Sequence, residues 1–205
     1  MTASRIPPGL ILTRFGQFNL LDPTCSSNRI DIDEIARALS HICRYNGHTS
    51  QFYSVAQHSV FVAQILREDF RTRQHAMAGL LHDAAEALIG DMVKPLKDLI
   101  PQYHAIERNV ERAVFGRFGL DPELDPCVKR ADLVMLRTEL RDLMGVTDEN
   151  AHRQWALPMD VEPLEKAIVP MSSEQARQAF LEMFWSLETF VPSGYREQEF
   201  QRMRA

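Results

Sequence analysis

Apolar residues recur every three or four positions along most of this chain, and this spacing sets the fold class. Ile35, Leu39 and Ile42 share one face of a helix, for which Asp31 or Asp33 is the candidate N-cap. Comparable segments cover 54–68, 72–88, 103–120, 125–145 and 172–190, with one short turn over 94–100. Residues 10–22 alternate loosely around a glycine, which indicates a hairpin. The pattern predicts an all-α bundle with a small N-terminal β-hairpin.

Length and composition favour one ordinary globular domain. The chain has 205 residues, of which 45% are hydrophobic and 25% charged, without a disordered or fibrous bias. We therefore predict a single domain over residues 1–205, ending in a helix over 172–190.

Charge, cysteine usage and hydropathy exclude several classes of partner. The net charge is −5 and no basic block of about five residues occurs, so a nucleic-acid polymer is not the expected partner. Cys25, Cys43 and Cys127 form no CxxC pair, which predicts neither a disulfide framework nor a thiolate zinc site. The sequence shows no signal-peptide pattern and no apolar run of about 18 residues. These features predict a cytoplasmic protein without a membrane partner.

The run LLHDAAEALIGD, residues 80–91, places four proton-binding groups in an apolar stretch. In a continuous helix His82 and Glu86 share a face because they are four residues apart, and Asp83 lies beside them. The spacing therefore predicts that these three side chains point into one hollow. Asp91 follows the helix-ending Gly90.

Two further polar residues stand at positions where burial is expected. His58 lies on the apolar face of residues 54–68, and Asp132 lies between Ala131 and Leu133. Buried imidazoles and carboxylates are costly unless they are paired or bind a metal. Two imidazoles and two carboxylates suit a divalent transition metal.

Each of these residues also has an ordinary structural interpretation. A single histidine on an apolar face, such as His58, is commonly a hydrogen-bonded core residue. The His82–Asp83 dipeptide occurs by chance, and Asp132 is also placed to pair with Arg130.

The ordered set H…HD…D, in the contexts SVAQHS, LLHDAAEALIGD and KRADL, carries a family resemblance. From about Arg44 to Asp132 the chain resembles the HD-domain metal-dependent phosphohydrolases. Within them it is similar to the small bacterial and phage branch of 5'-deoxynucleotidases and deoxynucleoside triphosphate triphosphohydrolases. This resemblance implies an HD-domain helical bundle whose metal-binding core covers about residues 31–146.

The resemblance also implies the ligands and the identity of the cofactor. His58, His82, Asp83 and Asp132 match the residues that hold one divalent cation in this family. Because no thiolate is among them, Mn²⁺, Co²⁺, Fe²⁺, Ni²⁺ and Zn²⁺ all fit.

Two acidic residues receive catalytic roles from the same resemblance. Glu86 and Asp91 match the groups that position or activate water and protonate the leaving oxygen. A carboxylate near a bound cation can accept a proton from water. The structural alternatives are a solvated helix acid for Glu86 and a loop or cap residue for Asp91.

Substrate contacts are predicted on both sides of the HD pair. The resemblance makes Arg44 a phosphate or nucleotide contact and places Tyr45 near the base or sugar, where many relatives carry Trp. Lys94 and Lys97 follow Asp91 and would add positive charge for phosphates, unless they only solubilise the surface.

The resemblance implies metal-dependent hydrolysis of a phosphate ester of a nucleotide, with a deoxyribonucleoside 5'-monophosphate as the leading substrate. The alternatives are a deoxynucleoside triphosphate triphosphohydrolase, acting for example on dATP, and a non-catalytic nucleotide-binding protein. We also predict a homo-oligomer, because Phe115, Phe118 and the aromatic last helix offer apolar surface.

Overall fold

The computed structural model describes residues 7–69, 72–146 and 157–188. Strands β1 (Leu10–Thr13) and β2 (Gly16–Asn19) form an antiparallel hairpin. The helices of the described residues are α1 (Ile32–His41), α2 (Val55–Glu68), α3 (Arg73–Leu81), α4 (Glu86–Ile89), α5 (Lys94–Lys97), α6 (Pro101–Phe118), α7 (Pro126–Asp142) and α8 (Ser173–Leu187). A 3₁₀ turn covers Arg44–Gly47. The prediction of a mainly helical chain with a small N-terminal hairpin is confirmed.

Side-chain caps fix the starts of the main helices, as the sequence indicates. Asp31 accepts hydrogen bonds from the first turn of α1, and Ser54 accepts one from the first turn of α2. Asp125 caps α7, with Pro126 in the first helical turn. Gly119 ends α6 in the left-handed conformation at φ 68°. These local interactions satisfy backbone groups that a helix end leaves unpaired.

The predicted continuous helix over residues 72–88 is wrong. Helix α3 ends at Leu81, and a turn over residues 82–85 separates it from α4. In this turn the amide of Glu86 donates to the carbonyl of Asp83, three residues earlier, and the His82 ring bonds to the carbonyl of Gly79. The tightened turn places side chains three residues apart on one side. Asp83 and Glu86, rather than His82 and Glu86, are therefore aligned.

Helix α2 is the centre of the bundle and packs against α1, α3, α7 and α8. The two helices α2 and α3 approach closely at Gly79, where an added Cβ atom would require the end of the Leu66 side chain to shift. This close packing brings the rings of His58 and His82 to 5.3 Å between centroids.

The aromatic residues of α6 and α8 belong to the core of this chain. Phe115, Phe118, Phe180 and Phe184 are all buried, and the Phe118 and Phe184 rings meet edge to face at 5.6 Å. The reason given for oligomerisation, that these residues expose apolar surface, is therefore wrong. The homo-oligomer itself stays a prediction.

Two further boundaries differ from the sequence prediction. Helix α7 ends at Asp142, before Gly145, which adopts a φ of 66°. Helix α8 ends at Leu187, and residues 189 and 190 lie outside the described residues. No helix in the described ranges is both long enough and apolar enough to span a bilayer.

The start of α8 offers a test of the fold. Ser172 Oγ accepts a hydrogen bond from the amide of Gln175, whose side chain accepts one from the amide of Ser172. Ser172→Ala should therefore lower the free energy of unfolding by about 1 kcal/mol in a denaturant titration. Ser173→Ala, one residue into the helix, is the control and should change it by less than about 0.5 kcal/mol. A larger loss in the control would contradict this assignment of the cap.

Candidate metal centre

His58 is completely buried on α2 and is held by a carboxylate. Its Nδ1 atom lies 2.6 Å from Oε1 of Glu139 on α7. Because a carboxylate only accepts, Nδ1 carries the proton and donates it. The Nε2 atom then faces Asp132, whose Oδ1 atom is 3.3 Å away.

His82 is oriented in the same way at the C-terminal end of α3. Its Nδ1 atom donates to the backbone carbonyl of Gly79 over 2.7 Å. Its Nε2 atom points towards Oδ2 of Asp83 at 3.2 Å and towards Oδ1 of Asp132 at 4.0 Å.

The four ligands suggested by the sequence thus meet at one place. Asp83 Oδ2 also lies 3.7 Å from Nε2 of His58, and one ligand atom each from His58, His82 and Asp132 lies within 4.8 Å of the others. Atoms about 3 to 4 Å apart can all bind one ion at metal–ligand distances of about 2.0 to 2.2 Å.

Unsatisfied polar atoms indicate what fits between these side chains. The Nε2 atoms of His58 and His82 are buried and have no hydrogen-bond partner among the described residues. Leaving such atoms unpaired costs about 1 to 3 kcal/mol each. A divalent cation would satisfy both nitrogens and neutralise Asp83 and Asp132, so these residues fit a metal centre.

Glu139 is the main residue of the site that sequence reasoning missed. It is completely buried and accepts hydrogen bonds from His58, from the Tyr45 hydroxyl at 2.7 Å and from Nε of Arg44 at 3.2 Å. A carboxylate that orients a ligating histidine is a common second layer of metal sites. One signal was available, because Glu139 follows Asp132 by about two helical turns and so shares its face of α7.

Arg44 and Tyr45, the predicted substrate contacts, lie directly beside the ligand cluster. Arg44 joins Glu139 to the cluster, because its Nη1 atom lies 3.4 Å from Oδ2 of Asp83. Tyr45 has a left-handed φ of 55°, followed by Asn46 at φ 51°. This uncommon conformation is maintained where the surroundings fix it, and here the Tyr45 hydroxyl is held by Glu139.

Charges within the cluster raise the pKa of the His58 imidazole and lower the pKa of the Asp83 and Asp132 carboxyl groups. Burial and Arg44 lower the pKa of His58, but Glu139 and Asp132 outweigh them and raise it to about 9. Burial opposes ionisation of Asp83 and Asp132, yet the adjacent imidazoles hold the pKa of both carboxyl groups well below the usual range. Attraction between the imidazoles and the carboxylates thus favours the charged forms of His58, Asp83 and Asp132.

The two predicted catalytic acids behave differently from the ligands. Glu86 is buried, and its Oε2 atom has no hydrogen-bond partner among the described residues. Burial and the charges of Asp83 and Asp91 hold the pKa of Glu86 well above its usual range. Burial also raises the pKa of Asp91. A carboxyl group tuned in this way is suited to proton transfer near neutral pH.

The two predicted lysine contacts have other partners. Lys94 is 82% exposed and lies 3.0 Å from both carboxylate oxygens of Asp98. Lys97 binds Oε1 of Glu107 at 2.5 Å, although its charge also reaches Glu86. The structure therefore does not bring Lys94 to the ligand cluster. Lys97 lies at the edge of that cluster.

Comparison with known proteins shows the family of the chain. No protein-family model matches the sequence. The chain is 39% identical over 156 residues to the uncharacterized protein YfdR of Escherichia coli (strain K12). The aligned region covers 76% of this chain and 83% of YfdR. It is 34% identical over 178 residues to the uncharacterized protein RCAP_rcc00048 of Rhodobacter capsulatus. That alignment covers 80% of this chain and 87% of the relative. The chain belongs to the family that includes these two proteins.

Proposed function

We propose that this chain is an HD-domain, metal-dependent phosphohydrolase acting on a deoxyribonucleoside 5'-monophosphate. The observation that carries the proposal is the meeting of two buried imidazole nitrogens with two ionised carboxylates. His58, His82, Asp83 and Asp132 would hold one divalent cation. Such a cation, when bound, polarises a phosphoryl oxygen and makes water a stronger acid.

Glu86 and Asp91 supply the proton transfers. Hydrolysis requires one group to accept a proton from the attacking water and another to protonate the leaving oxygen. Both carboxyl groups have a raised pKa, and their charges interact with each other. We assign the two transfers to this pair.

Arg44 orients the phosphate from a position beside the ligand cluster. Its described contacts use Nε for Glu139 and Nη1 for Asp83. A planar guanidinium held in this way is well suited to bind a phosphate oxygen.

The partners of the lysines favour a monophosphate over a triphosphate. A triphosphohydrolase must hold further charged phosphates with additional cationic groups. Lys94 and Lys97 already pair with Asp98 and Glu107. Arg44 alone suffices for a single phosphate.

Product analysis separates the candidate activities. The Mn²⁺-loaded protein is incubated with each deoxyribonucleoside 5'-monophosphate and triphosphate, and the products are separated. Orthophosphate from the monophosphates alone is the expected result. Inorganic triphosphate would favour the triphosphohydrolase, and no turnover of either would favour the non-catalytic nucleotide-binding protein.

The titration of His58 predicts pH-dependent metal binding. Because its pKa is raised to about 9, His58 is protonated at neutral pH, and a cation must displace this proton. Metal affinity should therefore rise about tenfold per pH unit between pH 6 and 8, as expected for release of one proton. Calorimetry in buffers of different ionisation enthalpy measures this release.

Glu139→Gln provides the comparison for this titration. The Glu139 carboxylate raises the pKa of His58, so its neutral replacement should move the pH dependence to lower pH. A metal affinity that does not change with pH in the wild type would contradict the assignment of His58.

A further inference from the structure

A second group of mixed metal ligands lies at the opposite end of α3. His75 is in the first turn of α3, Asp125 is the N-cap of α7, and Cys127 is in the first turn of α7. One ligand atom from each lies within 4.8 Å of the others, and His75 Nε2 is 3.6 Å from Oδ2 of Asp125. We propose that these three residues form a zinc site that joins the starts of α3 and α7.

The surrounding hydrogen bonds direct two of the ligands towards each other. His75 Nδ1 lies 3.0 Å from Oγ1 of Thr72, and Oδ1 of Asp125 accepts from the amide of Cys127 at 2.8 Å. Nε2 of His75 and Oδ2 of Asp125 face each other across 3.6 Å. Such second-layer contacts fix ring orientation and tautomer in metal sites.

The chemistry of the three groups selects zinc. A thiolate, an imidazole and a carboxylate together suit Zn²⁺, whereas Mn²⁺ and Mg²⁺ prefer oxygen ligands. Since the side chains of His75 and Asp125 are 29% and 49% exposed, water can reach the fourth coordination position.

This zinc site would support the candidate metal centre without being part of it. Helix α3 leads into His82 at its other end, and α7 carries Asp132 and Glu139. An ion that joins the starts of both helices would restrict their relative movement. The site does not depend on the proposed hydrolysis, because none of its ligands belongs to the catalytic group.

Spectroscopy of the cobalt-substituted full-length protein tests this proposal. Among the proposed ligands of both sites, only Cys127 carries a thiolate, so only the second site can produce a near-ultraviolet thiolate-to-Co²⁺ charge-transfer band. The band should appear in the wild type and disappear in Cys127→Ser. It should persist in Cys43→Ser, the matched cysteine control, and in His82→Ala, which alters the other centre.

A second variant keeps the helix cap intact. Asp125→Asn retains an oxygen that can accept from the Cys127 amide, but it removes the ligand charge. We expect it to bind Co²⁺ at this site at least about tenfold more weakly, as measured by titration of the band. His75→Ala should have a similar or larger effect. Absence of the band in the wild type, its persistence in Cys127→Ser, or unchanged affinity in both Asp125→Asn and His75→Ala would overturn the proposal.

Discussion

Glu86→Gln is expected to reduce kcat at least about 100-fold while leaving metal binding intact. The substitution preserves the size of a buried side chain but removes a carboxyl group whose pKa is raised by burial, Asp83 and Asp91. General acid–base catalysis typically contributes factors of about 10² to 10⁴. Steady-state kinetics with a deoxyribonucleoside monophosphate, together with measurement of bound Mn²⁺, separates a catalytic defect from a loss of metal.

Glu111→Gln is the matched control for this experiment. Glu111 on α6 also has a pKa raised by burial, and the charge of Glu107 contributes more to this shift than that of Asp83. Its replacement should change kcat less than about twofold. Full activity in Glu86→Gln would exclude the assigned role of Glu86, and an equal loss in both variants would show that the effect is not specific to this position.

Glu139→Gln is expected to reduce both stability and metal affinity. The variant leaves the half-buried Arg44 guanidinium and the buried His58 imidazole without their shared counter-charge. Breaking a buried ion pair on one side costs about 3 to 5 kcal/mol, and loss of a carboxylate behind a ligating histidine weakens metal binding about 10- to 100-fold. Denaturant unfolding and metal titration measure the two effects.

The same chemical change on the protein surface provides a comparison. Glu174 on α8 forms an exposed ion pair with Arg177. Glu174→Gln should alter the free energy of unfolding by at most about 1 kcal/mol, because solvent screens exposed pairs. If Glu139→Gln behaved like Glu174→Gln and retained its metal affinity, Glu139 would not be the residue that holds the site together.

Interactions between near neighbours in sequence made much of the fold predictable. The caps at Asp31 and Ser54 and the stop at Gly119 depend on residues within one helical turn. The break after Leu81 was missed because helical periodicity does not distinguish a turn of i to i−3 hydrogen bonds from a regular helix. The ring of His82, which binds the carbonyl of Gly79, takes part in that turn.

Features that depend on tertiary packing were harder to predict from the sequence. Glu139, within LRTELRDL, resembles a solvated helix acid until α2 places His58 against it. The stripe of Phe180 and Phe184 shows an apolar face in the sequence, but not that α1, α2 and α3 pack against this helix. Likewise, the sequence around Cys127 does not show that His75, on a separate helix, lies close to Asp125 and Cys127.

The most direct measurement compares metal content and turnover in the wild type and His82→Ala after chelation and reloading with Mn²⁺. This ion does not suit the thiolate-containing group, so it reports on the His58, His82, Asp83 and Asp132 cluster. The wild type should bind one Mn²⁺ per chain and release orthophosphate from a deoxyribonucleoside monophosphate only when reloaded. His82→Ala should bind no Mn²⁺ at this site and show no turnover. Unchanged Mn²⁺ content in His82→Ala, or equal turnover by the metal-free wild type, would contradict a metal-dependent phosphohydrolase at this site.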